Sequence, residues 1–280
     1  MVNIVHDVAA VNGIHIHYRK AGDGPLIVLL HGWPQTGHCW RHILSALAET
    51  HTVLAPDLRG YGLSDKPTTG YDKRTMAADM SALIESLGFV SAAVVGHDRG
   101  ARVSHRWALD RPDQVSRLVL LDIIPTREMW LRMDAALARR CFHWLFHLQP
   151  DLPERLAGPD IPGYLGYFYE HWTINRHAFP PDVIAEYVRS FSVPGALRAS
   201  LDDYRAVDLD STHDEADFGR RLPMPLLALW GSESFLQNIP ALEIWHQYAE
   251  DVRDQAIANC GHFIPEERPD LLLAHLKDFL

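Results

Sequence analysis

Val94-Val95-Gly96-His97-Asp98-Arg99-Gly100-Ala101 joins the end of an apolar run to the start of an amphipathic stretch. The order strand, Gly-x-Asp-x-Gly, helix predicts a sharp turn that lifts one side chain, Asp98, above the end of a sheet. The two glycines answer a steric demand, because a Cβ on either side of so tight a turn would collide with neighbouring backbone. An ordinary strand–helix loop in which Asp98 only caps the helix would carry the same residue there. The rest of the chain has to decide between the two.

Working outward, short apolar runs of the kind buried in parallel sheets recur at 26–30, 52–55, 92–95, 115–121 and 226–230. Leu, Ile and Met at helical spacing predict helices over 37–48, 75–87 and 101–109. The chain opens with alternating residues around Asn12-Gly13, which predicts a hairpin of strands over 2–11 and 14–20. Alternating strand and helix make an α/β fold with a doubly wound, mostly parallel central sheet flanked by helices. The rhythm breaks between 124 and 222, a helical, proline-punctuated stretch. Twelve of the 27 aromatic residues fall between Phe142 and Tyr204, about twice the share that its length would give. The strand pattern then resumes, so residues 1–123 and 223–280 are expected to form one core, with 124–222 inserted as a helical cap.

Composition removes several function classes. Lys+Arg 26 against Asp+Glu 36 gives a net charge of −10, opposite to the basic stripe of a nucleic-acid binder. No apolar run exceeds five residues, where a membrane span needs about twenty. Three scattered cysteines without a CxxC pair fit a reducing, cytoplasmic location. His38/His42 and His143/His147 have metal-compatible i, i+4 spacing but no HExxH-like acidic or thiolate companion. Neither a metal nor another cofactor is expected.

Aspartate in the exposed slot narrows the chemistry. A carboxylate is already ionised near neutral pH and needs no base to attack a saturated carbon, forming an ester with the enzyme. His31-Gly32-Trp33-Pro34 follows the third strand, where the Trp33 amide, with that of Arg99, could hold the oxyanion formed when such an ester is hydrolysed. Cys260-Gly261-His262-Phe263 places a histidine before the last helix, suited to activate water as a base. Arg99 and Arg102 lie three apart at a helix start, where cations oppose the macrodipole. A clamp for a substrate carboxylate is the compensating role, and ordinary ion pairing is the alternative.

The order of nucleophile, cap and histidine resembles the α/β-hydrolase superfamily along essentially the whole chain. Gly-His-Asp-Arg-Gly-Ala-Arg-Val (Gly96 to Val103), Leu-Asp-Ile-Ile-Pro-Thr (Leu121 to Thr126) and His143-Trp144 are similar to the fluoroacetate, or haloacetate, dehalogenases. That resemblance implies conversion of haloacetates to glycolate and halide through an aspartyl ester. Asp98 would be the nucleophile, His262 the base and Asp122 the acid that orients it. Gly231-Ser232-Glu233-Ser234 lacks aspartate in the slot that many relatives use, and leaves Glu233 as the alternative acid. The resemblance also implies carboxylate binding by Arg99 and Arg102, halide binding by His143, Trp144 and Tyr204, and a homodimer. The partners expected are a small haloacid and water. Two other readings stay open. Epoxide hydrolases share the aspartate turn and use paired cap tyrosines, for which Tyr204 with Tyr164 or Tyr167 could serve; a non-catalytic ligand-binding relative would have no need of the three polar residues.

Overall fold

A computed structural model describes residues 2–280. The apolar runs form the middle of an eight-stranded sheet: β1 (Val5–Val11), β2 (Ile14–Ala21), β3 (Leu26–Leu30), β4 (Thr52–Pro56), β5 (Ala92–His97), β6 (Val115–Leu121), β7 (Leu226–Gly231) and β8 (Val252–Ile257). Their order across the sheet is β1-β2-β4-β3-β5-β6-β7-β8. The opening hairpin is antiparallel, and β2 joins β4 antiparallel; every later pairing is parallel. β3, β4 and β5 are buried along their whole length because helices cover both faces, as their uninterrupted apolar sequence requires.

Two expectations need correction. Residues 37–48 do not make one helix but a 3₁₀ turn, Gly37–Trp40, followed by the single turn Leu44–Leu47. The buried Asp57 carboxylate accepts the Gly37 N–H at 2.8 Å, where that turn begins. The edge strand β8 was not expected at all: Val-Arg-Asp-Gln-Ala-Ile pairs only with β7 and leaves most of its residues partly or fully exposed, so it carries no apolar run. The helices over Lys73–Ser86 and Arg99–Asp110 start two residues earlier than periodicity indicates.

Between β6 and β7 the regular elements are all helices, from Thr126–Leu131 to Val207–Ala216, joined by turns and irregular chain. The parallel strands end on one side of the sheet, and the loops that leave them carry Trp33, Asp98, Asp122 and His262. That rim is where open α/β sheets hold their ligands. Among the described residues no helix is long and apolar enough to cross a membrane.

Candidate active site

Asp98 stands in the sharp turn with φ 49° and ψ −116°, a conformation that costs a non-glycine residue about 1–3 kcal/mol. Its flanking glycines leave no room for anything larger. A Cβ on Gly100 would lie 2.3 Å from the His31 carbonyl oxygen, and one on Gly96 would lie 2.4 Å from Ser104 Oγ. The turn buries Asp98 and brings its Oδ1 within 2.8 Å of the Trp33 N–H, which donates to it. Arg99 is the first residue of the following helix, where backbone N–H groups have no intrahelical acceptor. Both amides of the expected oxyanion site thus belong to the turn's immediate surroundings.

His262 reaches the same point from the other side. Its Nε2 is buried, has no hydrogen-bond partner among the described residues, and lies 3.9 Å from Asp98 Oδ2. Its Nδ1 is 2.6 Å from Asp122 Oδ2, and a carboxylate can only accept, so Nδ1 carries the proton and a neutral ring leaves Nε2 as acceptor. Asp122, also at positive φ (53°), is anchored through Oδ1 by the Gly231 N–H at 3.1 Å. Burial pulls the His262 pKa down, but the Asp122 hydrogen bond and charge, helped by Asp98, outweigh it and hold the pKa above the ordinary value. Glu233 is exposed at the cavity wall, and no hydrogen bond joins it to His262 among the described residues.

A cavity of about 240 Å³ lies over Asp98 and His262, and His143 and Trp144 line it with them. Tyr204 does not; with Arg99 it borders a separate void of about 10 Å³, and Trp144 faces both spaces. The three side chains expected at the halide are nonetheless neighbours: the Tyr204 ring centre lies 5.7 Å from that of His143 and 6.3 Å from that of Trp144. The Tyr204 hydroxyl and His143 Nδ1 are buried without partners among the described residues.

The two arginines differ in a way that sequence spacing cannot show. Arg99 donates from Nη2 (2.6 Å) and Nε (3.1 Å) to Asp203 Oδ1, and from Nη2 to the Asp203 carbonyl at 2.6 Å. Lys73 pairs with the same carboxylate, and the Tyr61 hydroxyl donates to it at 2.6 Å. Arg102 has only neutral acceptors, the Ile124 carbonyl at 3.2 Å and Thr126 Oγ1 at 2.9 Å; its guanidinium lies 4.6 Å from the Trp144 ring centre. Its Nε and Nη2 have no partner among the described residues. Burial, reinforced by the charge of Arg99, drags its pKa down to about 10. An unmatched buried ion costs several kcal/mol. Arg102 itself borders neither the cavity over Asp98 nor the smaller void; the Trp144 ring, whose centre is 4.6 Å from its guanidinium, lines both.

Trp172 went unrecognised in the sequence: its ring packs 4.6 Å from that of His143 and 5.2 Å from that of His262, and it lines the cavity. Phe142, Tyr167 and Phe235 complete the apolar wall, while Arg139 and Arg140 lie exposed beside it. Within an aromatic-rich stretch nothing distinguishes a wall residue from ordinary packing. Tyr164, one of the tyrosines considered for an epoxide site, is engaged with His147 Nε2 at 2.6 Å, whereas Tyr167 faces the cavity.

Comparison with known proteins agrees with this architecture. The family model described as "alpha/beta hydrolase fold" matches residues 25–269. The soluble epoxide hydrolase of Corynebacterium sp. (strain C12) is 41% identical over 275 residues, 96% of this chain and 95% of that protein. The fluoroacetate dehalogenase of Burkholderia sp is 37% identical over 279 residues, 96% of this chain and 91% of that protein. The solved structure of epoxide hydrolase CorEH without ligand superposes with a TM-score of 0.92 at 38% identity, covering 99% of this chain and 98% of that one. With the sheet, the aspartate turn and the histidine loop in place, this chain belongs to the α/β-hydrolase family.

Proposed function

We propose that this enzyme hydrolyses the carbon–halogen bond of 2-haloacids, with haloacetates, fluoroacetate included, as its substrates. The observation that carries the reading is Arg102, a buried guanidinium with unspent donors one turn beyond the nucleophile. A haloacid brings the carboxylate that would satisfy it; Arg99, tied to Asp203, adds a second fixed positive charge. Asp98 attacks C2, the C2–halogen bond breaks, and halide departs with the electron pair. The product is a carboxymethyl ester of Asp98. Water then adds to the Asp98 carboxyl carbon while its proton passes to His262 Nε2, and Asp122 stabilises the imidazolium. Collapse breaks the bond to glycolate, whose oxygen takes the proton back. The Trp33 and Arg99 amides hold the transient oxyanion.

Epoxide hydrolysis through the same ester is the second reading, favoured by the 41% identical relative. Tyr167 in the cavity, or Tyr204 behind Trp144, would have to protonate the epoxide oxygen. A neutral epoxide leaves Arg102 unmatched, which is why the haloacid reading is preferred. A fluoride electrode tests the choice. Fluoride release from fluoroacetate with no conversion of styrene oxide is expected, and the reverse pattern would overturn it.

Halide choice gives a graded prediction. Fluoride leaves poorly and depends on hydrogen-bond donors, whereas bromide needs little help. Replacing His143 by Ala or Trp144 by Phe, both on the cavity wall, should cost up to about a hundredfold in defluorination, with much smaller losses in debromination. Tyr204→Phe, which removes a buried hydroxyl without a partner among the described residues, should show the same bias. Equal losses with both halides would mean that these side chains only shape the wall.

The pH dependence follows from the site's charges. His262 works as a base only when neutral, so ester hydrolysis is lost as pH falls through its pKa. In the free enzyme Asp98 helps to raise that pKa, and esterification removes the charge. The acid limb of single-turnover ester hydrolysis should therefore lie at lower pH than the His262 titration seen by NMR in the free enzyme. Coincident values would mean that Asp98 keeps its charge throughout and never becomes an ester.

A further inference from the structure

Five residues beyond the histidine, a buried carboxylate ties its loop to the inserted helical segment. Glu267, 3% exposed, ends the short helix Ile264–Glu267. Its Oε1 accepts the N–H groups of Gly261 and Phe263, each at 3.1 Å, the two amides that flank His262. Its Oε2 accepts the N–H of Ile174 at 2.7 Å and of Asn175 at 3.1 Å, and shares the Gly261 N–H at 3.1 Å. The same stretch of chain returns the contact: the Trp172 carbonyl accepts the His262 N–H at 2.9 Å. The approach is so close that a Cβ on Gly261 would lie 2.2 Å from the Trp172 oxygen.

Among the described residues Glu267 makes no salt bridge, and its charge is met by backbone N–H groups. A carboxylate that only filled space would be a costly choice, since burying an ion without a counter-ion costs several kcal/mol. What it supplies is geometry, through charge-assisted hydrogen bonds to four amides on two separate segments. His262 and the Trp172 indole beside it are thereby held as one body.

We propose that Glu267 is a positioning residue for the ester-hydrolysing half of the reaction, locking residues 172–175 to residues 261–263 so that His262 faces the Asp98 ester. The inference rests on the aspartyl-ester reading above, whichever substrate forms the ester. Halide displacement by Asp98 makes no use of His262, so the first half-reaction should survive a change at Glu267 while the second should not.

The test compares E267Q, H262N and the unsubstituted full-length enzyme, each mixed with the same haloacetate. Halide release is followed before the steady state, and intact protein mass afterwards. E267Q should release its first halide at close to the parental rate, then turn over roughly a hundredfold more slowly, the scale set by a misplacement of about 1 Å. The carboxymethyl adduct should accumulate on the peptide that contains Asp98. Unchanged turnover, or first and second halide release slowed alike, would overturn the positioning role. An adduct in H262N but not in E267Q overturns this inference alone; no adduct in either removes the ester reading and the inference with it. A second measurement uses the unsubstituted enzyme, so it stands even where E267Q fails to fold. The amides of Gly261, Phe263, Ile174 and Asn175 should exchange with solvent deuterium as one cooperative unit, and independent exchange of the two segments would overturn the lock.

Discussion

The His262→Asn enzyme, mixed with fluoroacetate, should release about one fluoride per active site and then stop, because only the second half-reaction needs the base. Asparagine cannot take a proton from water, yet its amide nearly matches the imidazole Nδ1 edge in shape. The peptide that contains Asp98 should gain the mass of a carboxymethyl group. Steady-state turnover should fall by about 10²–10⁴, the usual share of general-base catalysis. Single-turnover reaction of the unsubstituted enzyme in heavy-oxygen water should place the label in Asp98 first and in glycolate only on later turnovers. Asp98→Asn should do neither, unless its amide reverts to aspartate. Label going straight to glycolate, with no adduct in the asparagine variant, would make Asp98 a base rather than a nucleophile.

The second large effect separates two arginines that the sequence treats as a pair. Arg102→Met should abolish most haloacetate turnover, since each lost charge-assisted hydrogen bond to the substrate is worth about 1.5–3 kcal/mol. The same change should raise the melting temperature of the free protein. It removes a buried cation that now faces only two neutral acceptors and an indole, and isosteric apolar replacement of buried charge is often stabilising by about 1–4 kcal/mol. Arg99→Leu should do the opposite to stability. It strands the Asp203 carboxylate with Lys73 and Tyr61 alone, and breaking such a buried pair typically costs about 3–5 kcal/mol. Thermal melts and kcat/KM measured on both variants check this. A fall in melting temperature for Arg102→Met with retained activity would mean that Arg102 is a structural residue and that the anion site is elsewhere.

Substrate charge links these results. Arg102 keeps unused donors at a cost in stability, and a site that holds such a cost is ordinarily one where a ligand repays it. Neutral substrates cannot repay it, so the contrast between a haloacid and an epoxide is also a contrast in how far substrate stabilises the protein. Saturating chloroacetate should raise the melting temperature of the Asp98→Asn enzyme, which binds without reacting, and styrene oxide should not.

How much of this was legible in advance depends on the range over which each feature is encoded. Apolar runs and helical spacing are written within a dozen residues, and they located seven of the eight strands and the helices over Lys73–Ser86 and Arg99–Asp110. Asp98 was legible for the same reason, since its turn needs Gly96 and Gly100 within two positions on either side. The histidine loop could be placed by its position before the last helix, although only the fold brings His262 Nδ1 to Asp122 rather than to Glu233. Edge strand β8 escaped because a strand paired on one side and open to water needs no apolar run.

The remaining decisions join residues far apart in the chain, and no local pattern records them. Asp203 meets Arg99 across 104 positions, Glu267 reaches Ile174 across 93, and Asp57 takes the Gly37 N–H across 20. Each is a buried polar group that must find a partner once water is excluded, and packing alone determines which partner is within reach. Trp144 shows the same limit for apolar groups. Sequence placed it beside His143 with a shared task, and only tertiary packing sets its ring 4.6 Å from the Arg102 guanidinium and 6.3 Å from the Tyr204 ring. The local sequence thus determined most of the sheet and the positions of Asp98 and His262 in their turns. The tertiary structure alone decided which charges are neutralised and which donors stay unused at Arg102.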